Sequence, residues 1–118
     1  MLINMAALTN YVAGDEELLI EVTKVFLSES PNTIATIQNS LDKGDAITAG
    51  RNAHKYKGSA AIYGCDEISA IAKEIEEIAK KNELAKMKTL FDQLKALHIQ
   101  LIKELNELLK QKTSANQQ

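Results

Sequence analysis

A chain of 118 residues is one domain's worth, long enough to bury a single core without disulfides or metals. Hydrophobic residues make up 45% of it, which argues against disorder, and with aromatics at 4% the core falls to Leu, Ile and Ala, a composition suited to helix-on-helix packing. The net charge of −2 comes without a Lys/Arg block, which excludes a nucleic-acid footprint, and the single cysteine, Cys65, excludes an internal disulfide framework.

"MLINMAAL" carries no signal-peptide pattern, and no apolar run approaches the roughly 20 residues a membrane span needs. The expectation is a soluble, cytoplasmic domain without direct membrane contact of its own, either free or one piece of a membrane-anchored protein. In "AGDEELL", Asp15 reads as an N-cap followed by acids in the first turn, where the helix dipole favours them. Leu18, Leu19, Val22, Phe26 and Leu27 then recur at helical spacing. "ESPN" predicts a break there, with Ser30 capping a second helix and Pro31 in its first turn. Ile34, Ile37 and Leu41 form that helix's stripe.

In "DKGDA", Gly44 suits a helix C-terminus and Asp45 the next N-cap. Ala46, Ala49, Ala53, Tyr56, Ala60 and Tyr63 line one side of the following helix, which Gly64 ends. Asp66 opens another, with Ile68, Ile71, Ala72, Ile75 and Ile78 facing inward, and Asn82 marks the next turn. The last helix runs from about Leu84 to about Lys112, with Met87, Leu90, Leu94, Leu97, Leu101, Leu105 and Leu108 on its stripe. "TSANQQ" is a polar, frayed tail, so the folded domain is expected over 1–112 and a disordered tail over 113–118. Short loops make neighbouring helices antiparallel. The expected fold is all-α: an antiparallel up-down four-helix bundle from about Ser30 to Lys112. An additional N-terminal helix, Asp15–Glu29, packs across it.

His54 lies beside the alanine line of its helix, with Gly50 and Gly58 four residues to either side. A mid-helix glycine costs about 1 kcal/mol relative to alanine, so helix stability does not explain the pair. An imidazole flanked by bare backbone is open to another protein's active site, and Lys57 adds a cation beside any anion carried on the ring. A solvated surface histidine is the plain alternative. If two antiparallel helices meet at the turn near Cys65, His54 and Glu76 are equidistant from it and lie at one height. Glu76 can then accept a hydrogen bond from one ring nitrogen and leave the other free, or be an ordinary solvated acid. His98, between Leu97 and Ile99 at the edge of a leucine stripe, reads as structural. Cys65 has no histidine or acid at nucleophile spacing, and two distant histidines make no metal signature. No Gly-rich phosphate loop is present, so no ATP site or bound cofactor is expected.

"AHKYKGSAAIYG" resembles the signature of histidine-phosphotransfer (HPt) domains, Ala-His-x-x-Lys-Gly-Ser-Ala with a Gly a few residues on. The likeness extends over nearly the whole chain. "INMAALTNYVAGDEELLIEVTKVFLSESP" resembles the helix that precedes the bundle, "LDKGD" the turn before the active helix, and "AKEIEEIAKKNE" the helix after it. "VAGDEELL" looks like the hybrid-sensor-kinase or free-standing type. The resemblance implies a phosphorelay intermediate that exchanges a phosphoryl group with an aspartate on response-regulator receiver domains. His54 is then the carrier, Lys57 the charge partner and Gly58 the clearance for docking. Magnesium is expected on the receiver rather than on this chain. A monomer is expected. A helical scaffold with an incidental histidine and a chemotaxis-kinase phosphotransfer domain are the competing functions. A dimeric histidine-kinase core is rejected, because Lys55 follows His54 where such cores place an acid.

Overall fold

The structure is a computed structural model. It describes the backbone of residues 1–116 and the side chains of residues 1–113. The helices are α1 (Met5–Tyr11), α2 (Glu16–Asp42), α3 (Ala46–Ala60), α4 (Asp66–Ala79) and α5 (Leu84–Asn116), with a 3-10 turn at Ala61–Tyr63. Each of α2–α5 packs on its neighbours in the order α2, α3, α4, α5 and back to α2, which closes an up-down bundle 52 Å long. No helix of the described residues is long and apolar enough to cross a membrane.

The turns follow from their residues. Asp15 accepts a hydrogen bond from the Leu18 amide at 3.1 Å and starts α2. Asp45 accepts from the Thr48 amide and hydroxyl at 3.0 and 2.7 Å and starts α3. Gly44 and Gly64 take positive φ angles of 74° and 62°, which an L side chain rarely adopts. α4 starts after Cys65 without a side-chain cap, leaving Asp66 and Glu67 in its first turn to meet the helix dipole.

The expected break at "ESPN" is absent: α2 is continuous from Glu16 to Asp42 with Pro31 inside it. A proline within a helix costs about 3 kcal/mol, since it removes one hydrogen bond and crowds the carbonyl four residues back. Here Pro31 stands on the exposed face. The buried positions Leu19, Thr23, Phe26, Ser30, Thr33, Ile37 and Ser40 alternate by four and three residues straight past it. Breaking the helix would misalign Phe26 and Ile37, each worth about 1.5–3 kcal/mol buried, so packing outweighs the proline. Ser30 is therefore a core residue, not a cap.

The additional helix is in turn α1, not Asp15–Glu29. Ile3, Leu8 and Val12 are buried, the Asn4 amide donates to the Tyr63 carbonyl at 2.8 Å, and Asn4 caps α1 through the Ala7 amide. Glu104 of α5 accepts from the Leu2 and Ile3 amides and fixes the segment leading into α1. At the other end α5 passes Lys112, and Thr113 Oγ1 donates to the Leu109 carbonyl at 2.7 Å. Residues 113–116 thus continue the helix, while residues 117–118, the end of the expected tail, lie outside the described residues.

His98 is a core residue of α5, in line with Phe91, Leu94, Leu101 and Leu105. Its Nδ1 lies 2.8 Å from the buried Tyr56 hydroxyl of α3. Burial lowers the His98 pKa and raises that of Tyr56, so the ring stays neutral and the phenol protonated. A folded-state histidine pKa below the unfolded value stabilises the fold above the unfolded pKa, near 6.5, and this contribution is lost as pH falls below it. The urea midpoint should therefore drop between about pH 7 and pH 5, and the drop should shrink in His98→Gln. Tyr56→Phe should cost about 1–3 kcal/mol at pH 7, because it orphans a buried ring nitrogen.

Candidate functional site

α3 buries Ala46, Ala49, Gly50, Ala53, Tyr56 and Ala60, a face of mostly small side chains that lets α4 come close. The tightest point is Gly50: a Cβ there would stand 2.6 Å from the Ala79 Cβ. Gly50 is thus a packing residue between two helices, rather than a cleared space beside the imidazole. Gly58 is the opposite case. It is exposed, and a Cβ there would meet nothing within 4 Å.

His54 projects from the solvent side of α3 with its side chain 67% exposed. Its Nδ1 lies 2.6 Å from Glu76 Oε1 on α4. The other oxygen of that carboxylate accepts from Lys57 Nζ at 2.8 Å. One half-buried carboxylate thus bridges the imidazole and the ammonium. The Lys57 hydrogen bond, with a smaller one from His54, holds the Glu76 carboxyl below the usual carboxylate range against a partial burial that opposes it. The carboxylate is therefore charged at neutral pH and accepts the Nδ1 proton, which leaves Nε2, on the far side of the ring, as the free lone pair.

The structure brings together His54, Lys57 and Glu76, with Gly58 one turn along α3. It places Lys57 on Glu76, not on the ring. His98 is buried away from this surface, and Cys65 is buried at the α3–α4 turn with its thiol pKa pushed up to about 11 by burial.

Two grooves border α3, and His54 lines one of them. One runs between α2 and α3 beside Gly58, walled by Tyr11, Val22, Val25, Phe26 and Ile62. Val25 and Tyr11 are 54% and 61% exposed there, a large apolar surface for a solvated face. The other lies between α3 and α4, with Ile47, Gly50 and Ala79 beneath His54, Arg51 and Lys80. The sequence pattern did not mark Arg51 or Lys80, because a lone cation on a solvated helix face carries no signal until the groove is seen.

Residues 21–111 match the family model for the Hpt domain. The chain is 27% identical over 103 residues to the phosphorelay intermediate protein rdeA of Dictyostelium discoideum; the match covers 87% of this chain and spans 38% of that protein's length. Its fold is similar to histidine-containing phosphotransfer protein B (HptB) from Pseudomonas aeruginosa PAO1. That similarity has a TM-score of 0.79 and 22% identity, over 97% of this chain and 96% of the other. It is also similar to the HPT domain of a sensor hybrid histidine kinase from Shewanella, with a TM-score of 0.82 and 21% identity, over 93% and 95% of the two chains.

The two glycines beside His54 should respond oppositely to alanine. Gly58→Ala should stabilise the protein by up to about 1 kcal/mol, from helix propensity alone. Gly50→Ala should destabilise it by about 1–3 kcal/mol through overpacking. Ala79→Gly in the Gly50→Ala background should recover part of that loss, which a double-mutant cycle in urea measures.

Proposed function

The chain belongs to the Hpt domain family, and from that premise we propose that His54 carries a phosphoryl group to and from receiver-domain aspartates in a multistep His–Asp phosphorelay. The observation that carries this reading is the bond from His54 Nδ1 to Glu76 on an otherwise exposed ring. A solvated, incidental histidine has no need of a fixed tautomer. A nucleophile does.

In the proposed step, the Nε2 lone pair attacks the phosphorus of a receiver aspartyl phosphate. The N–P bond forms as the P–O bond to aspartate breaks, and its electron pair leaves with the aspartate carboxylate. The ring becomes a phospho-imidazolium that keeps its Nδ1 proton. Glu76 faces that proton at 2.6 Å and stabilises the positive charge the ring acquires. Lys57 keeps the carboxylate ionised and in place, so it is a positioning residue. The reverse step runs through the same contacts. The magnesium ion of the reaction belongs, in this reading, on the receiver.

The apolar groove between α2 and α3 is the surface we assign to docking, with the chain acting as a monomer. Gly58 lines that groove one turn from His54, and a side chain there would stand in the path of the receiver.

After incubation with a phosphorylated receiver, the protein should hold acid-labile, alkali-stable phosphate, and His54→Gln should hold none while unfolding as the wild type does. Label on His54→Gln would overturn the assignment. Glu76→Gln should slow transfer by about fivefold, corresponding to the roughly 1 kcal/mol by which a charged acceptor exceeds a neutral one. It should also change the ring's 15N tautomer signature, which a purely structural role would leave alone. Gly58→Glu should fold normally and transfer at least about tenfold more slowly, equivalent to roughly 1.4 kcal/mol of barrier, from bulk and like charge at the docking face. Stopped-flow transfer at wild-type rate would remove Gly58 from the interface.

A further inference from the structure

The groove assigned to docking does not end at its apolar walls. Beyond Val22, Val25 and Ile62 it runs on between α2 and α3 into a polar stretch lined by Asn32, Thr36 and Asn52. Two charged residues line both stretches and stand at their junction, Glu29 on α2 and Lys55 on α3. They rise from opposite walls, and both are exposed.

Neither charge is compensated within the chain. At three and four positions from Lys55 along α3 stand Arg51, Asn52, Gly58 and Ser59. Around Glu29 on α2 the same positions hold Val25, Phe26, Asn32 and Thr33. No opposite charge therefore sits at the helical spacing that pairs side chains. Across the groove the two do not pair with each other, and among the described residues neither makes an ion pair. Lys57, on the same helix as Lys55, is by contrast held by Glu76.

A segment lying in this groove removes water from both charges. If it brings an acid to the α3 wall and a base to the α2 wall, two ion pairs replace that water. The opposite arrangement meets like charge on both walls and leaves both charges desolvated. The apolar stretch supplies contact to any apolar segment and selects weakly, whereas the charges select by sign.

We propose that Glu29 and Lys55 are specificity-determining residues of the docking groove, and that the partner is a receiver domain whose docking segment places an acid against Lys55 and a base against Glu29. This rests on the reading of His54 as the carrier and names which receivers it serves.

A charge swap tests it. Each chain is first loaded on His54 with phosphoramidate, whose phosphorus Nε2 attacks as the P–N bond breaks and ammonia leaves. Discharge of the loaded chain is then timed on the purified receiver domain that the wild-type chain phosphorylates fastest within a panel of such domains. Glu29→Lys and Lys55→Glu should each raise the receiver concentration needed for half-maximal discharge by about tenfold. The double reversal is decisive, because it keeps the net charge and any attraction between the two residues while inverting what a partner meets. It should discharge at least as poorly as the worse single variant. Recovery of the wild-type value in the double reversal overturns the proposal, since the two residues would then serve each other. A wild-type value in either single variant overturns it as well. In a scan of the receiver's exposed acids to lysine, one change should recover part of the loss in Lys55→Glu, and a scan in which none does overturns the pairing. A wild-type chain that takes phosphate from neither phosphoramidate nor a phosphorylated receiver overturns the carrier reading instead. One that is loaded but discharges onto no receiver overturns the docking assignment.

Discussion

The site depends on how closely α3 and α4 approach at Gly50. A side chain as small as a methyl would collide with Ala79 there. The helix gives up about 1 kcal/mol of propensity for that glycine. In return the backbones come near enough for a glutamate on one helix to reach an exposed imidazole on the other at 2.6 Å. Long side chains crossing a wider gap would meet in many geometries. Here the carboxylate is short-tethered and held at both oxygens, so the ring has one orientation and one free nitrogen.

The degree of exposure matters as much as the distance. Glu76 is neither in the core nor fully solvated, with 27% of its side chain exposed. Burying an ion pair fully costs several kcal/mol per ion, and a fully solvated pair contributes little. The intermediate position keeps the carboxylate ionised, with Lys57 lowering its proton affinity, and leaves the ring open to a partner. The ring, at 67% exposure, contributes little to the fold. In the proposed transfer, water is excluded from the ring only when a second protein covers the face. Specificity can therefore lie in the apolar groove beside Gly58, while the chemistry stays with the ring and its carboxylate.

Local chemistry made much of this legible in the sequence. Asp15 and Asp45 cap helices because their oxygens reach the third following amide, a relation within four residues. His54 and Glu76 were paired because a tight turn makes equal separation from it equal height. Relations between distant segments were the ones hidden. Pro31 looked like punctuation because Thr23, Ser30, Thr33 and Ser40, all buried, interrupt the apolar stripe that would have shown one helix. The spacing of four and three was there, carried by polar residues. Gly50 and Gly58 looked equivalent in one helix, and only α4 separates them. Met5–Tyr11 was missed because a helix this short is set by docking against the Tyr63–Gly64 turn, not by a periodic stripe.

What fixes α3 along the bundle is a separate matter from what brings it close. Much of this face is alanine, so sliding by one turn, about 5.4 Å, would exchange small side chains at small cost in buried area, checked sterically only where Gly50 meets Ala79. Two polar bonds remove that freedom. Tyr56, two residues from His54, is tied to His98 on α5, and Tyr63 just beyond α3 donates to Thr23 on α2 at 3.1 Å. A slide would break both and strand four buried polar groups, each costing about 1–3 kcal/mol unpaired. Phe26 packs against both tyrosine rings, with centroids 5.9 and 5.3 Å away, and closes the same layer. The small residues, Gly50 above all, thus permit the close approach of α3, and the tyrosines set its register. Because α4 follows α3 through the Gly64 turn, a fixed register for α3 is what keeps Glu76 level with His54.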